Sequence, residues 1–79
     1  MNRNDRSRSR DNFVRLAEAR TEKLLRGLDL LGNLSNRSNY SYEEEDVAKI
    51  FSAVRKKLRE TELRFGAQIS KREPDKFKL

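Results

Sequence analysis

Two runs of side chains, each recurring at alternating steps of three and four residues, constrain this chain more than any other feature. Val14, Ala17, Thr21, Leu24, Leu28 and Leu31 form the first, and Val47, Phe51, Val54, Leu58, Thr61 and Phe65 form the second. Such spacing lines side chains along one stripe of an α-helix, and the alternation is the heptad seam of helices that pack side by side. Phe13, Leu16 and Leu25 widen the first stripe, and Ile50 and Ala53 the second, toward the breadth expected when a helix meets more than one neighbour. The expected fold class is all-α: an antiparallel two-helix hairpin that dimerises into a four-helix bundle.

Local signals set the expected ends. Asp11 or Asn12 can cap the first helix by accepting a hydrogen bond from an orphan amide, and Gly32 can close it in the left-handed conformation. Gly27 costs about 1 kcal/mol relative to alanine inside a helix, for which a close helix crossing would compensate. Ser41 with Glu44 three residues later reads as a capping box, and Glu43, Glu44, Glu45 and Asp46 place negative charge where the helix dipole is positive. Gly66, the continued apolar spacing at Ile69 and the barrier at Pro74 put the second end between Phe65 and Arg72. The resulting division is a basic disordered arm over residues 1–11, a hairpin over 12–72 (helix 12–32, loop 33–41, helix 42–70) and a flexible tail over 73–79. The arm holds Arg3, Arg6, Arg8 and Arg10 and, apart from Met1, nothing apolar, so ordering it has no hydrophobic return.

Composition narrows the chemistry. The chain has 79 residues, no cysteine and no histidine, so disulfides, zinc fingers, iron–sulfur sites and Cys or His nucleophile–base pairs cannot be assembled from it. Chains this short rarely bury enough surface to stand alone, which leaves helix packing and self-association. A homodimer is therefore expected. No metal, cofactor or catalytic residue is expected: the carboxylates at 18, 22 and 43–46 sit on helix surfaces, and no nucleophile motif or glycine-rich phosphate loop accompanies them. No apolar run approaches the roughly 18 residues of a membrane span, and no hydrophobic export signal opens the chain. A cytoplasmic location is expected, and the Asn-X-Ser triplets at Asn33, Asn36 and Asn39 then read as coincidence.

Nineteen basic against thirteen acidic residues give a net charge of +6, a field that favours acidic partners without naming one. Two segments could use it. Residues 47–72 hold eight basic groups, among them Arg55, Lys56 and Arg59, against two acids, whereas residues 43–46 are all acidic. Acid at a helix start and base toward its end also follow from dipole complementation, so a solvated face and a nucleic-acid face fit equally well. The arginine arm tips the balance toward nucleic acid, because an arginine arm beside a basic helix neutralises several phosphates. The loop between the helices is the second segment. Its Asn and Ser side chains can satisfy their own backbone while Leu34 and Tyr40 plug the bundle end. Alternatively it is a recognition tip of Asn36, Arg37, Asn39 and Tyr40. The first of these is the more economical.

The segments Arg-Leu-Ala-Glu-Ala-Arg-Thr (15–21), Leu-Leu-Gly-Asn-Leu-Ser-Asn-Arg-Ser-Asn-Tyr (30–40) and Asp-Val-Ala-Lys-Ile-Phe (46–51) resemble a set of short uncharacterised bacterial proteins. The resemblance spans Phe13 to Phe65 and implies a bacterial or mobile-element origin, with no activity attached. In architecture alone the hairpin is similar to the Rop family of plasmid RNA-binding proteins, which are dimeric four-helix bundles. Those proteins are acidic and this chain is basic, so no functional residue is carried over. The expected function is non-enzymatic binding of nucleic acid, RNA first, by a small regulator through Arg3, Arg6, Arg8, Arg10, Arg37, Arg55, Lys56 and Arg59. The competing expectation is a protein-interaction module that uses the loop or an apolar helix face. Association with an anionic membrane is disfavoured, since the seams are committed to helix packing.

Overall fold

The computed structural model describes residues 3–72, which are all-α with no strand among the described residues. They fall into two units, one running to Ser41 and the other starting at Tyr42. The tail expected over 73–79 and the first two residues of the arm lie outside the described residues.

Helix α1 spans Arg3–Gly32, 30 residues. Its start is earlier than the expected cap at Asp11 or Asn12, and residues 3–11, expected as a disordered arm, are helical. Propagation explains the difference. Once the apolar turns from Phe13 onward have met the cost of nucleation, each further residue adds one hydrogen bond, and neither Gly nor Pro interrupts residues 3–26. Arginine is itself among the better helix formers. Asn12, freed from a capping role, accepts a hydrogen bond from Arg15 Nη2 at 3.3 Å on the next turn. Arg10 lies over the Phe13 ring, 5.8 Å from its centroid, within the range of a cation–π interaction.

The other end of α1 also departs from expectation. Gly32 keeps helical dihedrals, φ −61° and ψ −29°, so no left-handed cap forms. The chain instead tightens into a single 3-10 turn over Asn33–Ser35 and leaves the helical region at Asn36, φ −70° and ψ 102°. A 3-10 turn satisfies terminal carbonyls by shorter bonds and removes the need for a left-handed residue.

Helix α2 spans Glu44–Arg72, 29 residues, and its cap lies two residues beyond the expected Ser41–Glu44 box. The Glu43 carbonyl accepts the first bonds, from Asp46 N at 3.0 Å and Val47 N at 3.3 Å. Asp46 Oδ2 reaches back to accept from Glu43 N at 2.9 Å, half of a capping box. A charged carboxylate makes a stronger bond to an amide than a neutral serine hydroxyl, and Glu44, Glu45 and Asp46 all lie in the first turn, where the dipole favours them.

Neither seam is covered. No described residue is buried, and Phe13, Leu24, Leu58 and Phe65 are each at least half exposed. Val14, Leu16, Ala17 and Leu31 on α1, and Val54 and Thr61 on α2, are partly shielded. Thr61 shows how a hydroxyl can occupy a seam position: its Oγ1 donates to the Lys57 carbonyl at 2.8 Å, which leaves the methyl group for packing.

Two stability measurements follow. A Cβ at Gly27 would meet nothing within 4 Å, so Gly27→Ala is expected to raise unfolding free energy by about 0.5–1 kcal/mol, seen as a higher urea midpoint. A lower midpoint would show that another helix packs against that backbone. Asp46→Ala is expected to cost about 0.5–2 kcal/mol and to speed amide exchange in the first turn of α2, and unchanged exchange would deny the cap its role.

Candidate nucleic-acid interface

Helix geometry sorts the basic residues into three groups. In α2, Arg55 and Arg59 lie four residues apart on one side, and Lys56 is about 100° from Arg55 around the axis. All three side chains are exposed. Arg55 borders the seam on its Phe51 and Leu58 edge, Arg59 lies farther round that flank and Lys56 on the face opposite the seam, so a ligand touching Arg55 would also lie beside apolar surface. Beside them Lys57 Nζ and Glu60 Oε1 stand 3.5 Å apart across one turn, an exposed pair that contributes little to stability.

In α1 the helical path of residues 3–11 gives the arginines an order that a disordered arm would lack. Positions 3, 6 and 10 continue the line of the apolar seam at steps of three, four and then four to Val14, whereas Arg8 falls on the opposite side. Arg6, Arg8 and Arg10 are exposed. Cations in the first turns of a helix oppose its dipole. The last turn of α1, where the dipole favours cations, has no basic residue.

Arg37 lies in the loop, separated from Arg10 by most of α1, whose length is about 45 Å. The loop is organised by Asn36. Its Oδ1 accepts from Ser38 N at 2.9 Å, and its carbonyl accepts from Asn39 N at 3.1 Å and Tyr40 N at 3.0 Å. These bonds are the self-satisfied arrangement expected of an Asx turn. They place Arg37 and Asn39 on the rim of the turn, and Tyr40 beyond it is half exposed.

A groove on α1 was not anticipated from the sequence. Arg20, Lys23, Leu24, Gly27 and Leu28 line this open depression of about 370 Å³, apolar at its floor because Gly27 supplies no side chain. The signal was present in the spacing, since 20, 23, 24, 27 and 28 share one side of a helix. Metal chemistry gains no support from geometry: no group of three or more metal-ligating side chains is found among the described residues. No helix among them is long and apolar enough to cross a membrane.

No protein family model matches the chain, and no curated protein and no solved structure matches it either. The resemblance to bacterial proteins with the same loop rests on the quoted segments alone.

The Asn36 turn makes a local prediction. Asn36→Ala removes the Oδ1 acceptor and is expected to broaden the amide resonances of residues 37–40 while leaving the helical circular-dichroism signal unchanged. A loop that keeps its spectrum would show that the backbone bonds alone hold it.

Proposed function

We propose that this chain is a non-enzymatic nucleic-acid-binding protein, a small regulator or accessory factor, built on an antiparallel helical hairpin that pairs with a second copy. What supports the hairpin is a match of register. With the chain turning between residues 33 and 43, Val14 falls level with Phe65, Ala17 with Thr61, Thr21 with Leu58, Leu24 with Val54, Leu28 with Phe51 and Leu31 with Val47. Six successive layers align without a slip, and most pair a smaller side chain with a larger one, as interdigitating cores require. The flanking apolar groups, Phe13, Leu25 and Ile50 among them, give a second copy something to cover.

The observation that carries the functional reading is the division of charge. Residues 3–20 and 55–72 together hold thirteen basic and five acidic side chains, whereas residues 21–54 hold four basic and six acidic. An antiparallel hairpin sets the two basic segments side by side. Arg6, Arg8 and Arg10 from one helix and Arg55, Lys56 and Arg59 from the other then provide the spaced phosphate-binding cations from which salt-sensitive affinity arises. RNA is the first ligand to try, on the architectural likeness to plasmid RNA-binding hairpins. The alternative, a protein-interaction module, is favoured by the exposure of Phe13 and Phe65, 50% and 56%, which a partner helix could cover.

Fluorescence anisotropy with single-stranded and duplex RNA and DNA separates the readings. Log affinity is expected to fall linearly with log salt. Replacing Arg55, Lys56 and Arg59 together by alanine is expected to reduce the slope by about 2 to 3, since each neutralised phosphate contributes about 0.7–0.9. An unaltered slope would remove this patch from the interface. No binding at low salt, with capture of a nuclease-resistant protein at fixed stoichiometry, would favour the interaction module.

A further inference from the structure

We propose that the hairpin carries a second row of phosphate-binding cations, Arg20 and Lys23 of α1 with Lys57, Arg64 and Lys71 of α2, on the flank away from Arg55 and Arg59. The ligand is a phosphodiester strand. The inference rests on the nucleic-acid and hairpin readings above and adds to them a further set of contacts and the side on which they lie.

Each helix sorts its charge around its own axis. At about 100° per residue, the four acids between residues 6 and 32, Asp11, Glu18, Glu22 and Asp29, fall within an arc of about 40° on α1. Arg20 and Lys23 stand about 120–180° from that line, at the rim of the groove beside Gly27. On α2, Lys57, Arg64 and Lys71 recur at steps of seven, which keeps them on one slowly drifting line about 21 Å long. That line borders the seam on its Ile50 and Thr61 edge. All five side chains are exposed, and of them only Lys57 meets a carboxylate among the described residues, Glu60 at 3.5 Å.

The hairpin joins the two sets. Viewed from its own N-terminus, each helix carries these cations anticlockwise of its seam. Reversing one helix reverses the sense in which its residues advance, so in an antiparallel pair the flanks of like sense meet. By the register of the six layers, Arg20 and Lys23 fall level with residues 55 to 59. Lys57 then lies between them, and Arg64 and Lys71 continue the row toward the chain termini.

Carboxylates distinguish the flanks. The opposite flank holds Glu18 and Glu22 of α1 and Glu62 of α2 beside Arg55 and Arg59. Between residues 6 and 71 this flank holds only Glu60, already beside Lys57, and Asp46, whose Oδ2 accepts from Glu43 N. Asp46 is eleven residues from Lys57, about 16 Å along the axis and about twice the Debye length at physiological salt. Cations gathered without counter-charge repel one another, and a phosphate strand relieves that repulsion while releasing its own counterions. Lys56, on the face of α2 opposite the seam, lies between the two rows, so the cationic surface is continuous around the back of α2.

Fluorescence anisotropy of the full chain across a salt series, with single-stranded and duplex RNA and DNA, reads the row. Arg20→Ala with Lys23→Ala, and Arg64→Ala with Lys71→Ala, are each expected to reduce the slope of log affinity against log salt by about 1.5, and all together by about 3, at about 0.7–0.9 per phosphate. Arg15→Ala with Arg26→Ala removes the same charge from the face of α1 opposite its seam and is expected to leave the slope within about 0.5 of the parent. Alanine favours the helix, so the circular-dichroism signal is expected to hold in every variant, and Arg64→Lys, which keeps the charge, is expected to keep the parent slope. A slope unmoved by either flank pair, or lowered as much by the Arg15 and Arg26 pair, would overturn the row. Loss with the α2 pair alone would overturn its sharing between the helices. A parent that binds none of the four nucleic acids at low salt would sink the nucleic-acid reading itself, whereas binding that responds to Arg55, Lys56 and Arg59 but to neither flank pair would sink only the second row.

Discussion

Every part of this molecule depends on what covers its two apolar seams. Isolated helices are marginal in water even at favourable composition, and most helical stability in proteins comes from packing an amphipathic face. Burying a Leu, Val or Phe fully is worth about 1.5–3 kcal/mol relative to leaving it in water, and here Leu24, Leu28, Val47, Phe51, Leu58 and Phe65 are all exposed. Propensity and capping by Asp46 contribute far less than the seams could. Covering these side chains is thus the largest stabilising term open to α1 and α2. It also determines where the cations end up, because Arg6 and Arg10 continue the line of one seam and Arg55 and Arg59 flank the other.

The helices themselves were legible because a period of three and four residues survives any detail of their ends. The ends were less so, for separate reasons. Sequence patterns weigh a capping residue by type, and Ser41 is the better type. The observed cap instead uses the side chain of Asp46, whose charge compensates for the lack of a standard residue at Glu43. Gly32 permits a left-handed closure without requiring one, and the 3-10 turn of Asn33–Ser35 satisfies the end by another route. At the other terminus the arginines read as an arm because they bury nothing, but helix propagation from an established seam needs no burial of its own. The groove beside Gly27 was hidden for a different reason: a missing side chain is visible only once its neighbours have been placed on a common side.

The loop illustrates how far side-chain chemistry alone can carry a functional assignment. Asn36, Arg37, Asn39 and Tyr40 are residues that recognise ligands well, and they are also residues that build turns. The bonds from Ser38, Asn39 and Tyr40 to Asn36 account for Asn36 by turn building. They leave the outward positions of Arg37 and Asn39 as consequences of the turn and not as evidence of a target. Charge patterning points elsewhere, to the helices.

The first turns of α1 make the strongest physical case that the charge has a partner. A chain selected only for solubility would put acids there and cations in the last turn, since each such placement is worth about 0.3–1 kcal/mol. Here Arg6, Arg8 and Arg10 outnumber Asp5 and Asp11 near the start, and the last turn has no basic group. In α2 the same dipole is complemented at its start by Glu44, Glu45 and Asp46, so the reversal in α1 is not a general property of the sequence. An anion outside the helix can compensate for such an arrangement. Phosphates can do so, and so can the acidic turn of a second copy. The two differ in geometry: a carboxylate cluster acts on the arginines nearest to it, whereas a nucleic-acid backbone presents phosphates at regular intervals along its length.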